Sequence, residues 1–183
     1  GLGDVYKRQV DIYRALAAQL PMEGEMRANN YTDWSEIDVK FTAQPIKAYI
    51  PGTKHGTREV FEENILLAGC KSSGALAEIL SLNGGDSKAA EAACMTVRTD
   101  GISVDIDGDY TETLASIASN KNGIGVFGLS FYENNTDKLQ VATISDVIPS
   151  TESIASGDYP VSRPLYFYVK KAHISVIPGP VSY

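Results

Sequence analysis

Histidine, cysteine and tryptophan are scarce in this sequence: two, two and one among 183 residues. With only His55 and His173, a catalytic relay has few possible members. Cys70 and Cys94 come without the further Cys and His ligands that a structural zinc site takes, so the sequence leaves either a disulfide or two buried thiols. A bridge would constrain the intervening loop by about 3 kcal/mol and would imply an exported protein. Basic residues are also in the minority: 16 Lys and Arg against 23 Asp and Glu set the net charge at −7. That balance argues against general nucleic-acid binding, which rests on many cationic contacts to phosphates. No apolar run is long enough to cross a bilayer as a helix. No internal repeat, low-complexity tract or long linker interrupts the chain. What is present, 43% hydrophobic and 21% charged residues, is the composition of one folded domain with a core. Any anion it binds must be held by local groups.

The two ends need separate treatment. Residues 1–9 carry no periodicity, and Asp4-Val5-Tyr6-Lys7-Arg8-Gln9 resembles the translation of a transposon end used in sequencing libraries. The tract is expected to be non-native, with the protein's own sequence starting near Val10. The chain stops at Pro178-Gly179-Pro180-Val181-Ser182-Tyr183, a turn leading toward what would be a helix, so both ends read as cut.

Between them the apolar spacing gives a mixed α/β order. Ile12, Leu16 and Leu20 recur every fourth residue and predict a helix over 10–20, ended before Pro21. A polar loop follows through Asn29, Asn30 and Asp33. Alternation of Ile46, Ala48 and Ile50 predicts a strand over 45–50, broken by Pro51-Gly52. Val60, Phe61, Ile65 and Ala68 share one face of a helix over 57–68, with Gly69 as its terminator. Further helices are expected over 74–82 and 86–95, the second capped by Asp86. Asp100-Gly101 predicts a hairpin between strands at 95–99 and 102–106. A helix over 111–119, strands at 124–131, 139–143 and 161–169, and a helix within 149–156 complete the reading.

Four constellations invite a functional interpretation. Gly123-Ile124-Gly125-Val126-Phe127-Gly128 matches the dinucleotide pattern by residue type. That mechanism needs a strand before it and a helix N-terminus after it, whereas the expected order here is reversed, so tight turns and close packing are favoured. Asp105-Ile106-Asp107-Gly108-Asp109 opens like a calcium loop, but Tyr110 stands at position six in place of Gly and Ser116 at position twelve in place of Glu. A solvated turn accounts for it. Residues 159–169 join Pro160 and Pro164 to an aromatic run, which reads as a packed edge or crossing strand. The fourth, Thr53-Lys54-His55-Gly56-Thr57-Arg58, lies where a strand hands over to a helix, so that free backbone N–H groups and the positive end of the helix dipole converge. Gly56 admits close backbone approach, the Thr57 hydroxyl can donate, and Lys54, His55 and Arg58 supply charge or further donors. An ordinary capped helix would show similar letters.

Val10-Asp11-Ile12-Tyr13-Arg14-Ala15-Leu16, then His55-Gly56-Thr57-Arg58-Glu59-Val60-Phe61 leading to Gly69-Cys70, and residues 159–171 with Ile177-Pro178-Gly179, resemble the periplasmic phosphate-binding proteins of ABC transporters. The resemblance spans most of residues 10–183 and lies within the type II periplasmic binding protein fold. It implies an α/β architecture with a mixed sheet flanked by helices, one of two lobes that close like a hinge. Residues 10–158 would form most of the second lobe, and residues 159–183 would cross toward a first lobe encoded upstream, with its own phosphate-contacting loops and a buried acidic residue. It also implies capture of inorganic phosphate or a related oxyanion, delivery to a membrane permease, export to the periplasm and a monomer when complete, without catalysis, cofactor or metal. The family's helix start usually reads Ser-Gly-Thr, often followed by Arg. Gly56, Thr57 and Arg58 therefore carry over as phosphate ligands, with His55 where Ser is common. Cys70 and Cys94 match a cysteine pair of close relatives and imply an exported disulfide. Tyr166, Phe167 and Tyr168 would leave apolar surface uncovered in the isolated chain. Two other classes are carried as alternatives. One is a phosphohydrolase using His55 as acid or base and Arg58 as charge stabiliser, though no metal cluster or recognisable Ser or Cys nucleophile supports it. The other is an adhesion or scaffold module with a degenerate site.

Overall fold

Residues 6–120 and 122–163 are described by the structure, a computed structural model. A two-residue strand, β1 (Tyr6–Lys7), leads into helix α1 (Gln9–Leu16). Asp11, fully buried, starts this helix: its carboxylate accepts the Arg8 backbone N–H at 2.8 Å and pairs with the Arg8 guanidinium at 2.8 Å. The helix stops at Leu16 because Ala17 turns extended. The expected continuation to residue 20 is instead a hairpin, β2 (Gln19–Met22) against β3 (Glu25–Ala28), with Gln19 opposite Ala28. Glu23 and Gly24 turn it with φ of 52° and 82°, the paired positive values a two-residue hairpin takes. Leu20 satisfies a four-residue period and a strand face equally, and Pro21 is tolerated because a two-stranded ribbon is all edge.

Helix α2 (Trp34–Ile37) is opened by Asp33, and β4 (Ala48–Pro51) follows. The next helical run extends from Gly56 to Ser72 in three parts: α3 (Gly56–Phe61), a π-helical turn (Glu62–Leu67) and α4 (Ala68–Ser72). Gly69 does not terminate it. A Cβ there would stand 2.7 Å from the carbonyl carbon of Gln9 and from Cβ of Tyr13, so the missing side chain is what lets α4 lie against α1. The run ends at Gly74, whose φ is 82°. Helices α5 (Ala75–Leu82) and α6 (Ser87–Met95) follow, and the Asp86 carboxylate caps α6 by accepting from Ala89 N–H at 3.0 Å.

β5 (Ser103–Ile106), α7 (Tyr110–Ser119), β6 (Ile124–Gly125), α8 (Leu129–Glu133), β7 (Thr143–Ile144) and α9 (Thr151–Ala155) complete the described chain. The hairpin expected around Asp100-Gly101 does not form. β5 pairs in parallel with β4, Ala48 opposite Ser103, while Val97 bridges to Ala17. The local turn signal is overridden by burial, since pairing with β4 places Ser103 and Ile106 inside. The strand expected over 124–131 is only two residues long, because Gly128 starts α8. That expected over 139–143 shrinks to β7, which pairs in parallel with β1. The 161–169 strand, with Tyr166, Phe167 and Tyr168, falls mostly outside the described residues, as does His173.

α1 separates two cores. Ile12, Ala15 and Leu16 face a cluster with Ala48 and Ile50 of β4 and Phe61, Ile65 and Leu66 of the long helical run. Tyr13 and Ala17 face a second cluster containing Leu20, Ile79, Ala90 and the Cys70–Cys94 disulfide. The α/β class and the disulfide thus hold.

Where the hairpin, α1 and the approach to β5 meet, Arg98 is buried with its side chain 3% exposed. All five of its N–H groups find acceptors: Ala15, Tyr31 and Asn29 carbonyls at 3.0, 2.8 and 2.9 Å, and the Asp100 carboxylate for the rest. Hydrogen bonding from Arg98 holds the Asp100 carboxyl below its ordinary 3.8. The folded state therefore binds this proton less readily than the unfolded chain does. The resulting stability is present above about pH 4 and disappears as pH falls through the lower folded value. Asp100→Asn should therefore flatten the acid side of the stability profile, measured by urea unfolding at a series of pH values; an unchanged acid limb would refute the linkage.

Candidate functional site

The three-stranded sheet runs β5, β4, β6, all parallel. The chain leaves β4, returns on one side as β5, and crosses to the other side as β6. This reversal makes the carboxyl ends of β4 and β6 a topological switch point, where open α/β sheets receive ligands. The loop between β4 and α3 leaves the central strand there, and Gly128 opens α8 beside it.

The β4 loop is bound to the loop after β5. Gly52 N–H donates to the Ile106 carbonyl at 2.9 Å, and His55 N–H closes the turn onto the Gly52 carbonyl at 3.0 Å. The Asp107 carboxylate lies so close over Gly52 that any side chain there would collide with it. His55 Nε2 is 3.3 Å from the Asp107 carbonyl oxygen and donates to it when that nitrogen carries the proton. Tyr110, first residue of α7, places its hydroxyl 3.5 Å from Thr57 Oγ1.

Arg58 is a tie as well as a candidate ligand. Its side chain is 8% exposed and donates to Glu62 Oε1 at 2.6 Å, Asp105 Oδ1 at 2.8 Å and the Pro51 carbonyl at 3.0 Å. Nη2 has no acceptor among the described residues. Its charge is balanced by two carboxylates, so its removal would disturb the fold together with any anion contact.

An open cavity of about 270 Å³ is bordered by Thr53, Lys54, His55, Gly56 and Arg58, with Glu59 and Glu62 on its helical side. The space over Gly56 is clear, since a Cβ there would meet nothing within 4 Å. Thr57 does not line this cavity; its hydroxyl lies on the Tyr110 side, and His55 borders both regions. Gly56 and Thr57 belong to the first turn of a long helical run, whose N–H groups have no intrahelical acceptors. Glu59 is paired with Arg163 at 2.8 Å and Glu62 with Arg58. Arg58, Glu59 and Glu62 are thus paired, whereas Lys54 borders the cavity with no ion pair among the described residues.

The other motifs have structural duties. Gly123 packs against Tyr49, where a Cβ would stand 2.9 Å from the ring, and Gly125 packs beneath α7. Asp105 holds Arg58 and Asp109 caps α7 by accepting from Thr111 N–H at 2.9 Å. Among the described residues no cluster of three His, Cys, Asp or Glu side chains forms a metal site. The residues missed by sequence reasoning are Tyr110, Asp107 and Glu62. Their one signal is position, after the next strand or one helical turn beyond Arg58.

A family model described as a PBP superfamily domain matches residues 5–180. The phosphate-binding protein PstS of Staphylococcus haemolyticus is 29% identical over 143 residues, covering 75% of this chain and 35% of that protein. The phosphate-binding protein PstS of Staphylococcus epidermidis is 30% identical over 142 residues, covering 75% and 34%. The chain spans about a third of the length of these curated relatives. Among solved structures, a possible phosphate binding protein from Planctomyces limnophilus superposes with a TM-score of 0.56 at 18% identity, over 87% of this chain and 45% of that one. PstS from Borrelia burgdorferi gives 0.55 at 16% identity, over 85% and 48%. At such identities these two likenesses speak for the fold.

Proposed function

The chain belongs to the PBP superfamily, and from that premise we propose that it supplies most of the second lobe of the substrate-binding component of a phosphate ABC importer. In this reading residues 10–158 are the lobe and residues 159–183 cross toward the first lobe. Inorganic phosphate is captured in the cleft between lobes and passed to a membrane permease, and no bond of the ligand is made or broken. The observation that carries it is the Thr53–Arg58 loop, which opens a 17-residue helical run at the carboxyl end of the central parallel strand. His55, Gly56, Thr57 and Arg58 are the proposed ligands on this side. Amides and hydroxyls replace the hydration shell of the anion, with Arg58 Nη2 and the nearby Lys54 as charged donors. The names of the curated relatives support phosphate as the solute. The disulfide supports an exported, periplasmic protein.

Calorimetry on the full-length protein tests this, with phosphate as ligand and sulfate as control. Phosphate should bind selectively, and Thr57→Val should weaken it roughly tenfold or more, as expected for losing a hydrogen bond to a charged group. Absence of phosphate binding by the unaltered protein would remove the reading. Sustained hydrolysis of a chromogenic phosphate ester, abolished by His55→Ala, would replace it with a phosphohydrolase.

A further inference from the structure

We propose that Tyr110 is a positioning residue of this site, setting the direction in which the Thr57 hydroxyl donates; the inference rests on the anion-binding reading above. Thr57 Oγ1 can donate one proton and accept others, so by itself it has no fixed polarity. The Tyr110 hydroxyl lies 3.5 Å away, at the long limit of a hydrogen bond. A phenol is the better donor of the two hydroxyls, so the tyrosine proton occupies the Thr57 lone pair. The threonine proton is then left for a ligand above the helix start. An anion accepting that proton polarises the chain of hydroxyls and tightens the long Tyr110–Thr57 contact.

Tyr110 is held from two sides. Asp109 caps the turn that begins with it. Its ring packs against Phe127 at 5.8 Å and Phe131 at 5.3 Å between centroids, and those two rings stack on each other at 5.3 Å. Gly128, at the start of α8, lies beside the hydroxyl, and a Cβ there would stand in ordinary contact with it at 3.4 Å. The phenol thus sits between the chain ends leaving β4 and β6, at the switch point, while its backbone belongs to the element after β5.

The test is phosphate calorimetry on the full-length protein with Tyr110→Phe, in three backgrounds at residue 57. With Thr57 present, Tyr110→Phe should weaken phosphate binding about fivefold, the size of one net hydrogen bond. With Thr57→Ser, which keeps the acceptor oxygen, the same loss should persist. With Thr57→Val, Tyr110→Phe should have no further effect. A loss of equal size in the Thr57→Val background would mean a general structural role and overturn the proposal, as would no loss with Thr57 present. If the unaltered protein binds no phosphate, the anion-binding reading falls and the proposal with it. Phosphate binding that is indifferent to Tyr110→Phe removes the proposal alone.

Discussion

Arg98→Ala should lower folding stability by about 4 kcal/mol. The estimate follows from what the guanidinium leaves behind. Ala15 and Asn29 carbonyls lose their Arg98 donors inside the fold, and the Tyr31 carbonyl loses its own at the margin. Each stranded buried acceptor is worth roughly 1–3 kcal/mol. Asp100 adds little because its carboxylate is about half exposed and water replaces the arginine there. Arg98→Lys keeps the charge but presents one nitrogen in place of a planar fork, so it should recover less than half of the loss. Urea unfolding of the full-length protein measures both. A loss under about 1 kcal/mol for Arg98→Ala would show that the carbonyls find other partners and that Arg98 is no keystone.

Breaking the Cys70–Cys94 bridge comes next in size. The two cysteines are 24 positions apart, and the crosslink restricts the unfolded chain over that loop, worth about 3 kcal/mol in the chain-entropy account. Their Cα atoms lie 5.8 Å apart, within the ordinary range for a bridge, and both residues are fully buried beside Tyr13 and Ile79. Replacing both by Ala should therefore lower the melting temperature by roughly 10 °C for a protein of this size, and by less in a longer one. Phosphate affinity should change little, because the bridge joins α4 to α6, away from the start of α3. A melting temperature within a degree or two of the parent would mean that the packing of α6 against α5 and the π-helical turn already holds without the bond.

How legible these features were depends on the range of the forces behind them. Local signals were read well. Asp86 does cap α6, residues 111–119 do form a helix, and the Gly56–Thr57 step does begin one. Signals that tertiary contacts override were not. Asp100-Gly101 has the letters of a hairpin turn, and Gly101 indeed takes φ of 89°, yet β5 finds its partner in β4, with Ser103 opposite Ala48 far back along the chain. Gly69 has the look of a helix stop and is in fact a contact surface for α1. At the site, His55, Gly56, Thr57 and Arg58 are adjacent in sequence and were visible together. Their partners Asp105, Asp107 and Tyr110 arrive with the following strand, and no pattern of spacing announces that one parallel pairing will bring them within reach. The disulfide was likewise beyond local reading: the composition left a bridge and two free thiols equally open, and the family resemblance supplied the choice.

The π turn at Glu62–Leu67 has a consequence for how relatives are aligned. Each of its hydrogen bonds spans one residue more than an α-turn, and one residue is about 100° of helical rotation. The turn therefore lets the His55 end of the run keep its aim at the carboxyl end of β4 while Gly69 and Cys70 still face α1 and α6. A homologue that keeps both orientations with an uninterrupted α-helix needs one residue fewer between its anion loop and its first cysteine. A single-residue gap in that interval would then record a change of backbone winding, with the ligand-facing and disulfide-facing ends of the helix left in register.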